Sequence, residues 1–286
     1  MPFSQQDLLL GVALPTIVAA IVSLLVRVVP WHEAYQRQAA GFAVGGAFFL
    51  GCRLIGLSDW LPTQPWMWFP YVVLAGALCG PLTVAPGVSW FERVIFYAVL
   101  STIAAWMLVP TWSSLEPSRW IWWVGTAAVM TVVGLGIEFL ATRERGLRLP
   151  LMLFVLITLS SVLVMLAGSA RFAQFLMAIS GALAGCALTG WVKSRDGTFS
   201  GAGLATSFAL VGMLMTAKVN SFTKIPFASY AVLAACPLLL AMAMLLLGSK
   251  WQGWKGWLLS VLVVVACSGV SLTLAITYDP GVIKFE

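Results

Sequence analysis

The sequence predicts an all-α integral membrane protein, a polytopic bundle of about ten transmembrane helices in a single domain of residues 1–286. Hydrophobic residues form 61% of the chain and charged residues only 9%, whereas soluble domains carry about 25% charged residues. Ten apolar stretches approach the roughly 20 residues that a helix needs to cross a bilayer. Apolar and polar residues do not alternate within them, which excludes a membrane β-barrel. The short loops leave no room for a soluble catalytic domain.

The predicted spans follow one another along the whole chain. Residues 1–6 contain no Lys or Arg and the first apolar run is longer than a signal-peptide core, so we expect the first helix to remain in the mature protein. Backbone groups in lipid must bond within their own segment, so each span is predicted to be a helix. The spans cover residues 8–29, 39–60, 66–86, 90–112, 120–141, 149–168, 172–192, 202–218, 226–248 and 257–277.

The distribution of Lys and Arg predicts the orientation, because these residues are retained on the cytoplasmic side of short loops. The loops after spans one, three, five, seven and nine hold ten of the 16 Lys and Arg residues, and the other loops and both tails hold six. Both termini are therefore predicted to lie on the outer side of the cytoplasmic membrane. In a cell that has two membranes, this is the inner membrane. The net charge of +6 is assigned to contacts with anionic lipid headgroups, and no nucleic acid partner is predicted.

A weak internal repeat connects spans two and seven. Residues 37–56 and 171–190 share six identities without a gap, among them Arg37 with Arg171 and Cys52 with Cys186. Duplication of five helices in opposite orientation, as in many carriers, produces this pairing and divides the chain into halves 1–143 and 144–286. A sequence this rich in Gly and Ala also yields such matches by chance.

The residues that would support catalysis or bind a cofactor are absent from the sequence. The five cysteines lie within predicted spans and form no C-x-x-C pair, which is typical of packing residues and not of a metal site. His32 is the only histidine, so paired haem ligands and an H-E-x-x-H zinc site are excluded. We therefore predict no enzyme activity, no cofactor and no metal.

Small residues and prolines indicate where helices pack closely or break. Three pairs of glycines four residues apart predict close helix packing: Gly41 and Gly45, Gly76 and Gly80, and Gly181 and Gly185. In the run Gly76–Gly87, Gly80 and Pro81 are candidates for a broken helix whose exposed backbone groups bind substrate. A simple kink at Pro81 is the alternative interpretation.

Two charged residues fall within predicted spans, where charge is costly. Arg53 lies about four residues from the middle of span two, roughly 6 Å from it, and is a candidate substrate-binding residue; its side chain could instead extend to the headgroups. Glu138 lies toward the cytoplasmic end of span five and is predicted to be a buried charge, satisfied by Arg143, Arg145 or a neighbouring helix. The two are predicted to lie about 18 Å apart along the membrane normal, too far for contact.

These observations favour a multi-pass membrane protein that acts as a small-solute transporter or permease, with a cavity near the bilayer midplane. In that case Arg53 favours an anionic or carbonyl-bearing solute, and Arg53→Ala is predicted to abolish uptake. The alternative is a non-catalytic scaffold or anchoring subunit of a larger complex, since small-residue helix faces also suit a membrane partner or a homo-oligomer.

Overall fold

The computed structural model describes residues 9–28, 33–57, 60–113, 115–144, 146–192, 199–221, 223–248 and 253–278. Within these ranges the chain is helical and contains no strand. A π-helical segment, Leu9–Ala13, leads into the first helix, and a 3₁₀ turn, Pro65–Trp68, precedes the third. The α-helices are α1 (Leu14–Val28), α2 (Glu33–Leu54), α3 (Phe69–Thr83), α4 (Trp90–Leu108), α5 (Arg119–Arg143), α6 (Arg148–Leu166), α7 (Ala170–Val192), α8 (Gly203–Val219), α9 (Phe227–Leu247) and α10 (Trp254–Tyr278).

Length and composition identify a membrane-embedded bundle. Seven of the described helical segments are long and apolar enough to cross a membrane, namely the segment Pro65–Thr83 and six helices, α4 to α7, α9 and α10. Three apolar segments are shorter, Leu9–Leu25, Ala39–Leu54 and Gly203–Val219. Seventeen residues of helix measure about 26 Å, slightly less than the roughly 30 Å of a hydrocarbon core. Seven candidate spans are therefore shown, and ten spans stay a prediction.

The second helix ends earlier than the sequence predicted. Span two was placed at residues 39–60, but α2 runs from Glu33 to Leu54. Gly56 adopts a φ of +72°, and the Leu57 N–H donates to the Cys52 carbonyl. These are the two marks of a Schellman motif, which stops a helix at a glycine in the left-handed region. Arg53 therefore lies in the last turn of α2, and its depth in the membrane stays a prediction.

Helix α8 forms the core of the bundle. Every residue from Gly203 to Ala217 is buried, and a helix that is apolar on all sides is expected in the interior. It packs chiefly against α5 and α3, with further contacts to α2, α4, α6, α7 and α9. A helix surrounded in this way has neighbours along its whole length.

The predicted close packing at glycines is confirmed. A Cβ at Gly181 would lie 2.5 Å from the Val12 carbonyl oxygen, so α7 approaches the chain at the start of α1 backbone to backbone. A Cβ at Gly76 would lie 2.8 Å from the ring of Phe208 on α8. Only glycine allows these separations, which bring main chains within van der Waals contact.

Helix pairing agrees in part with a repeat of five helices. Helix α1 packs on α2 as α6 packs on α7, and α4 packs on α5 as α9 packs on α10. Contacts between the halves are uneven, because α1 packs extensively on α7 while the described residues of α6 and α2 make no comparable contact. The division into two inverted halves therefore stays a prediction.

Candidate functional site at the two ends of helix α8

The carboxylate of Glu138 lies fully buried at the N-terminal end of α8. The Ser200 hydroxyl donates to Oε1 at 2.9 Å, and the Gly201 N–H donates to Oε1 at 3.1 Å and to Oε2 at 3.0 Å. The Tyr97 hydroxyl donates to Oε2 at 3.3 Å. A buried carboxylate needs several such donors, because its charge is otherwise costly away from water. We call this end of the bundle the Glu138 end.

Helix α4 brings Tyr97 to this cluster. It begins at a capping box in which Ser89 and Glu92 satisfy each other's backbone N–H groups. That start fixes the register of the helix, so Arg93 and Tyr97, four residues apart, lie on one face. The Arg93 Nε donates to the Thr83 carbonyl at 3.0 Å, which ties α4 to the end of α3.

A glycine on α5 makes room for Tyr97. A Cβ at Gly134 would lie 2.8 Å from the Tyr97 ring and 2.9 Å from the Ser207 hydroxyl oxygen. Gly134 precedes Glu138 by four residues, so both lie on the same face of α5. The tyrosine ring can therefore cross α5 at Gly134 and place its hydroxyl at the carboxylate one turn further on.

Main chains meet at Gly201, next to the carboxylate. Gly201 has a φ of +83°, a region that favours glycine, and its carbonyl oxygen points at α2 and α3. A Cβ at Gly41 would lie 2.9 Å from that oxygen, and a Cβ at Gly80 would overlap it. Glu138 and two glycines thus hold the residues before α8 in one position.

The structure places the predicted site residues Gly80 and Pro81 in this contact. Helix α3 continues through Pro81 and ends at Thr83, so the run Gly76–Gly87 contains a helix end and a turn. Both residues are buried, and Gly80 packs against Gly201. Whether they bind substrate stays a prediction; here they pack against the residues that precede α8.

Glu138 is satisfied by one of the three alternatives that the sequence prediction named. It was expected at a helix boundary beside Arg143, Arg145 or a neighbouring helix. The Arg143 guanidinium lies instead over the Phe139 ring, 3.7 Å from its centroid, and Arg145 lies outside the described residues. The partners of Glu138 come from α4 and from the residues before α8, so of the three alternatives a neighbouring helix and its preceding turn are the ones observed.

The opposite end of α8 borders a cavity of about 610 Å³, which we call the vestibule. A second cavity of about 330 Å³ adjoins it and shares Trp66, Trp112 and Asn220 with it. The polar groups of the vestibule come from the start of α7 and the end of α8: Ser169, Arg171, Asn220 and Ser221. No acidic residue is among its described lining residues. Its chemistry is therefore cationic and hydrogen-bonding.

Aromatic rings close the vestibule toward the core. The Arg171 guanidinium lies 4.9 Å from the centroid of the Trp66 ring, which packs at 6.4 Å against both Phe172 and Phe175. Phe175 in turn contacts the Phe69 ring at 5.4 Å. Edge-to-face rings at such distances pack stably, so the vestibule is open on one side and has an aromatic floor.

Arg53 is not among the residues that line the vestibule. Its guanidinium lies over the Trp60 ring, 4.2 Å from the centroid, in the loop after α2. The long stem can carry the charge toward the headgroups in this way. As predicted, Arg53 does not contact Glu138, and its role in substrate binding stays a prediction.

Two of the residues that define the ends of α8 gave no recognisable signal in the sequence. Tyr97 and Ser200 are ordinary polar residues in apolar or loop context, and only the fold brings them to Glu138. Arg171 was counted in the orientation and aligned with Arg37, but its place in a cavity depends on where α7 begins. Among the described residues, no group of three His, Cys, Asp or Glu residues could hold a metal ion.

No protein family model matches this chain, and no curated protein or solved structure matches it either.

Proposed function

We propose that this protein is a membrane carrier for small anionic or carbonyl-bearing solutes that enter through the vestibule. The observation that carries the proposal is the cavity of about 610 Å³ with Arg171 and Asn220 at one end of a buried helix, while Glu138 and Gly201 close the other end. A carrier that exposes its site to one side of the membrane at a time needs one open and one closed end.

The size and chemistry of the vestibule support this solute class. Binding sites for small molecules typically measure about 300–1,000 Å³. A guanidinium offers planar paired donors that match a carboxylate or phosphate, and the Asn220 amide can bond a carbonyl or hydroxyl group. The Trp66 ring beneath Arg171 holds the guanidinium in place by a cation–π contact.

Uptake by reconstituted vesicles tests the proposal. Radiolabelled succinate and glycerol 3-phosphate serve as anionic probes, with glycerol as the neutral one. We expect uptake of at least one anion above that of empty vesicles and no uptake of glycerol. Arg171→Ala should raise the KM roughly tenfold or more, since hydrogen bonds to charged groups contribute about 1.5–3 kcal/mol each.

Arg53→Ala is the matched control, because Arg53 also stacks on a tryptophan in the described structure but lies outside the vestibule. Unchanged uptake in Arg53→Ala together with reduced uptake in Arg171→Ala would support the vestibule as the binding site. The reverse result would support the prediction made for Arg53 and contradict the site proposed here. Absence of uptake for both anions would contradict carriage of this solute class.

A further inference from the structure

Glu138 is a carboxylate without any exposed surface, surrounded in the described structure by neutral donors. Its exposed fraction is 0%, and its hydrogen bonds come from two hydroxyls and one backbone N–H. The Arg93 guanidinium on α4 donates to the Thr83 carbonyl and is near enough to attract the Glu138 charge without a hydrogen bond to it. A buried carboxylate with this environment is costly to keep charged, so the cluster is one in which a proton can be gained.

The hydrogen-bond donors around Glu138 differ in whether they can also accept a hydrogen bond. A backbone N–H can only donate, so Gly201 always presents a donor to the carboxylate. A hydroxyl can donate or accept, so either Tyr97 or Ser200 can accept the one hydrogen bond that a neutral Glu138 donates. The cluster therefore accommodates both the charged and the neutral form of the side chain, with a different hydrogen-bond direction in each.

The end of α3 leads from the Glu138 end to the surface. Gly80 and Pro81 contact Gly201, and buried Thr83 donates from its Oγ1 to the Gly80 carbonyl at 2.7 Å. The loop that follows Thr83 contains the exposed residues Pro86 and Gly87, so a few residues of α3 separate the Glu138 end from exposed chain.

We propose that Glu138 is the proton-binding site of this protein and that its protonation releases the N-terminal end of α8 from α2, α3 and α5. The proposal rests on the carrier function above and names the proton as the coupling ion. A hydronium ion gives its proton to a carboxylate oxygen of Glu138 and leaves as water, so no bond other than O–H bonds and hydrogen bonds changes. The reverse transfer returns the proton to water.

The release follows from the strength of the Gly201 contact. Hydrogen bonds to an ionised acceptor are roughly twice as strong as neutral ones, so a neutral Glu138 holds the Gly201 N–H less firmly. The Gly201 carbonyl is wedged against Gly41 and Gly80, where a small movement of Gly201 separates it from both helices. Loss of the charge on Glu138 therefore weakens the close contact that the Gly201 main chain makes with α2 and α3.

Other titratable groups near the cluster are few in the described structure. Helix α4 contributes Tyr97 and Arg93. On α8 the titratable residue is Lys218, at the opposite end, where its ammonium lies 5.8 Å from the ring of Tyr230 on α9. The charged residues of segment 193–198 lie outside the described residues. Substitution of Glu138 itself therefore assigns the proton.

Cysteine labelling in nanodiscs tests the release without any transported solute. Ala202, next to Gly201 and fully buried, is replaced by Cys in a chain whose five native cysteines are changed to Ala or Ser. Pro86→Cys in the exposed loop after α3 is the reference site, which corrects for the pH dependence of the thiol. The labelling rate with N-ethylmaleimide is measured at both sites across a range of pH.

We expect the rate at Ala202→Cys, relative to Pro86→Cys, to rise as the pH falls, by at most about tenfold per pH unit for one proton. Glu138→Gln should give a high relative rate at every pH. Glu116→Gln, a change in an exposed loop, should keep the wild-type response. A pH response that survives in Glu138→Gln would overturn the proposal.

The wild-type chain decides the question if Glu138→Gln does not fold, because a relative rate that stays flat with pH would by itself overturn the proposal. The two proposals also fail separately. Anion uptake combined with flat labelling would reject the proton site and leave the carrier function intact. A pH-dependent release that requires Glu138, in a protein that takes up neither anion, would reject the carrier function and keep the proton site.

Discussion

The two ends of α8 differ in how tightly they are built. At the Glu138 end, a buried carboxylate is held by Ser200, Gly201 and Tyr97, and the Gly201 carbonyl leaves no space for a Cβ at Gly80. At the vestibule end, exposed Arg171 and the half-buried Ser169, Asn220 and Ser221 border about 610 Å³ of open space. One end of α8 is therefore closely packed around a buried charge, whereas the other end borders open space lined by polar groups.

The largest loss of stability is expected from Glu138→Ala. The change leaves the Ser200 hydroxyl and the Gly201 N–H buried without an acceptor, at a cost of roughly 3 kcal/mol or more in the free energy of unfolding. Unfolding in mixed micelles measures it, with Glu116→Ala in an exposed loop as the control. Equal stability of the two variants would show that the Glu138 end does not hold the bundle together.

A smaller loss is expected from Gly80→Ala. The added Cβ overlaps the Gly201 carbonyl oxygen, and forcing a methyl group into a packed contact costs about 1–3 kcal/mol. Gly269→Ala on α10 is the control, since its Cβ would meet nothing within 4 Å and alanine favours the helix. A stability of Gly80→Ala no lower than that of Gly269→Ala would refute the tight crossing.

Tyr97→Phe is expected to cost about 1 kcal/mol, the usual contribution of one hydrogen bond. The ring and its packing on Gly134 remain, and Glu138 keeps its Ser200 and Gly201 donors. Tyr278→Phe, at a position 61% exposed, is the matched control for loss of a hydroxyl. A cost equal to that of the control would mean that the 3.3 Å contact with Glu138 contributes nothing.

The smallest stability effect is expected at the vestibule. Trp112 is 49% exposed and lines both cavities, so Trp112→Ala should change the free energy of unfolding by about 0.5 kcal/mol or less while lowering anion uptake. Trp191→Ala, at a residue 75% exposed and absent from both cavity linings, should leave uptake unchanged. Equal uptake in the two variants would remove Trp112 from the solute path.

The helices were predictable to within a few residues because their lengths follow from continuous apolar runs. The exception is α2, where Gly56 ends the helix six residues before the predicted boundary. An apolar run shows where a helix can continue, whereas a glycine at positive φ stops it in the middle of such a run. For this reason Arg53, expected near the middle of a predicted span, lies in the last turn of α2.

The candidate site was only partly predictable. The sequence selected Glu138 as a charge within a span, and it selected Gly80 and Pro81 separately as a possible helix break. The fold brings all three residues to Gly201. The vestibule was not predicted, because the sequence shows Arg171 only as a charge at the end of a predicted span and does not show which residues lie beside it. Its proximity to Asn220 depends on α7 and α8 packing side by side.

The sequence by itself determined that this is a helical membrane protein, because hydrophobicity and length act locally along the chain and need no knowledge of neighbours. Only the tertiary structure decided which polar groups meet. Partners such as Tyr97, Glu138 and Gly201 come from three separate segments, and their contacts arise from how closely glycine-lined helices approach one another. The distance between two helices depends on how they pack together, so it cannot be inferred from the sequence of one span alone.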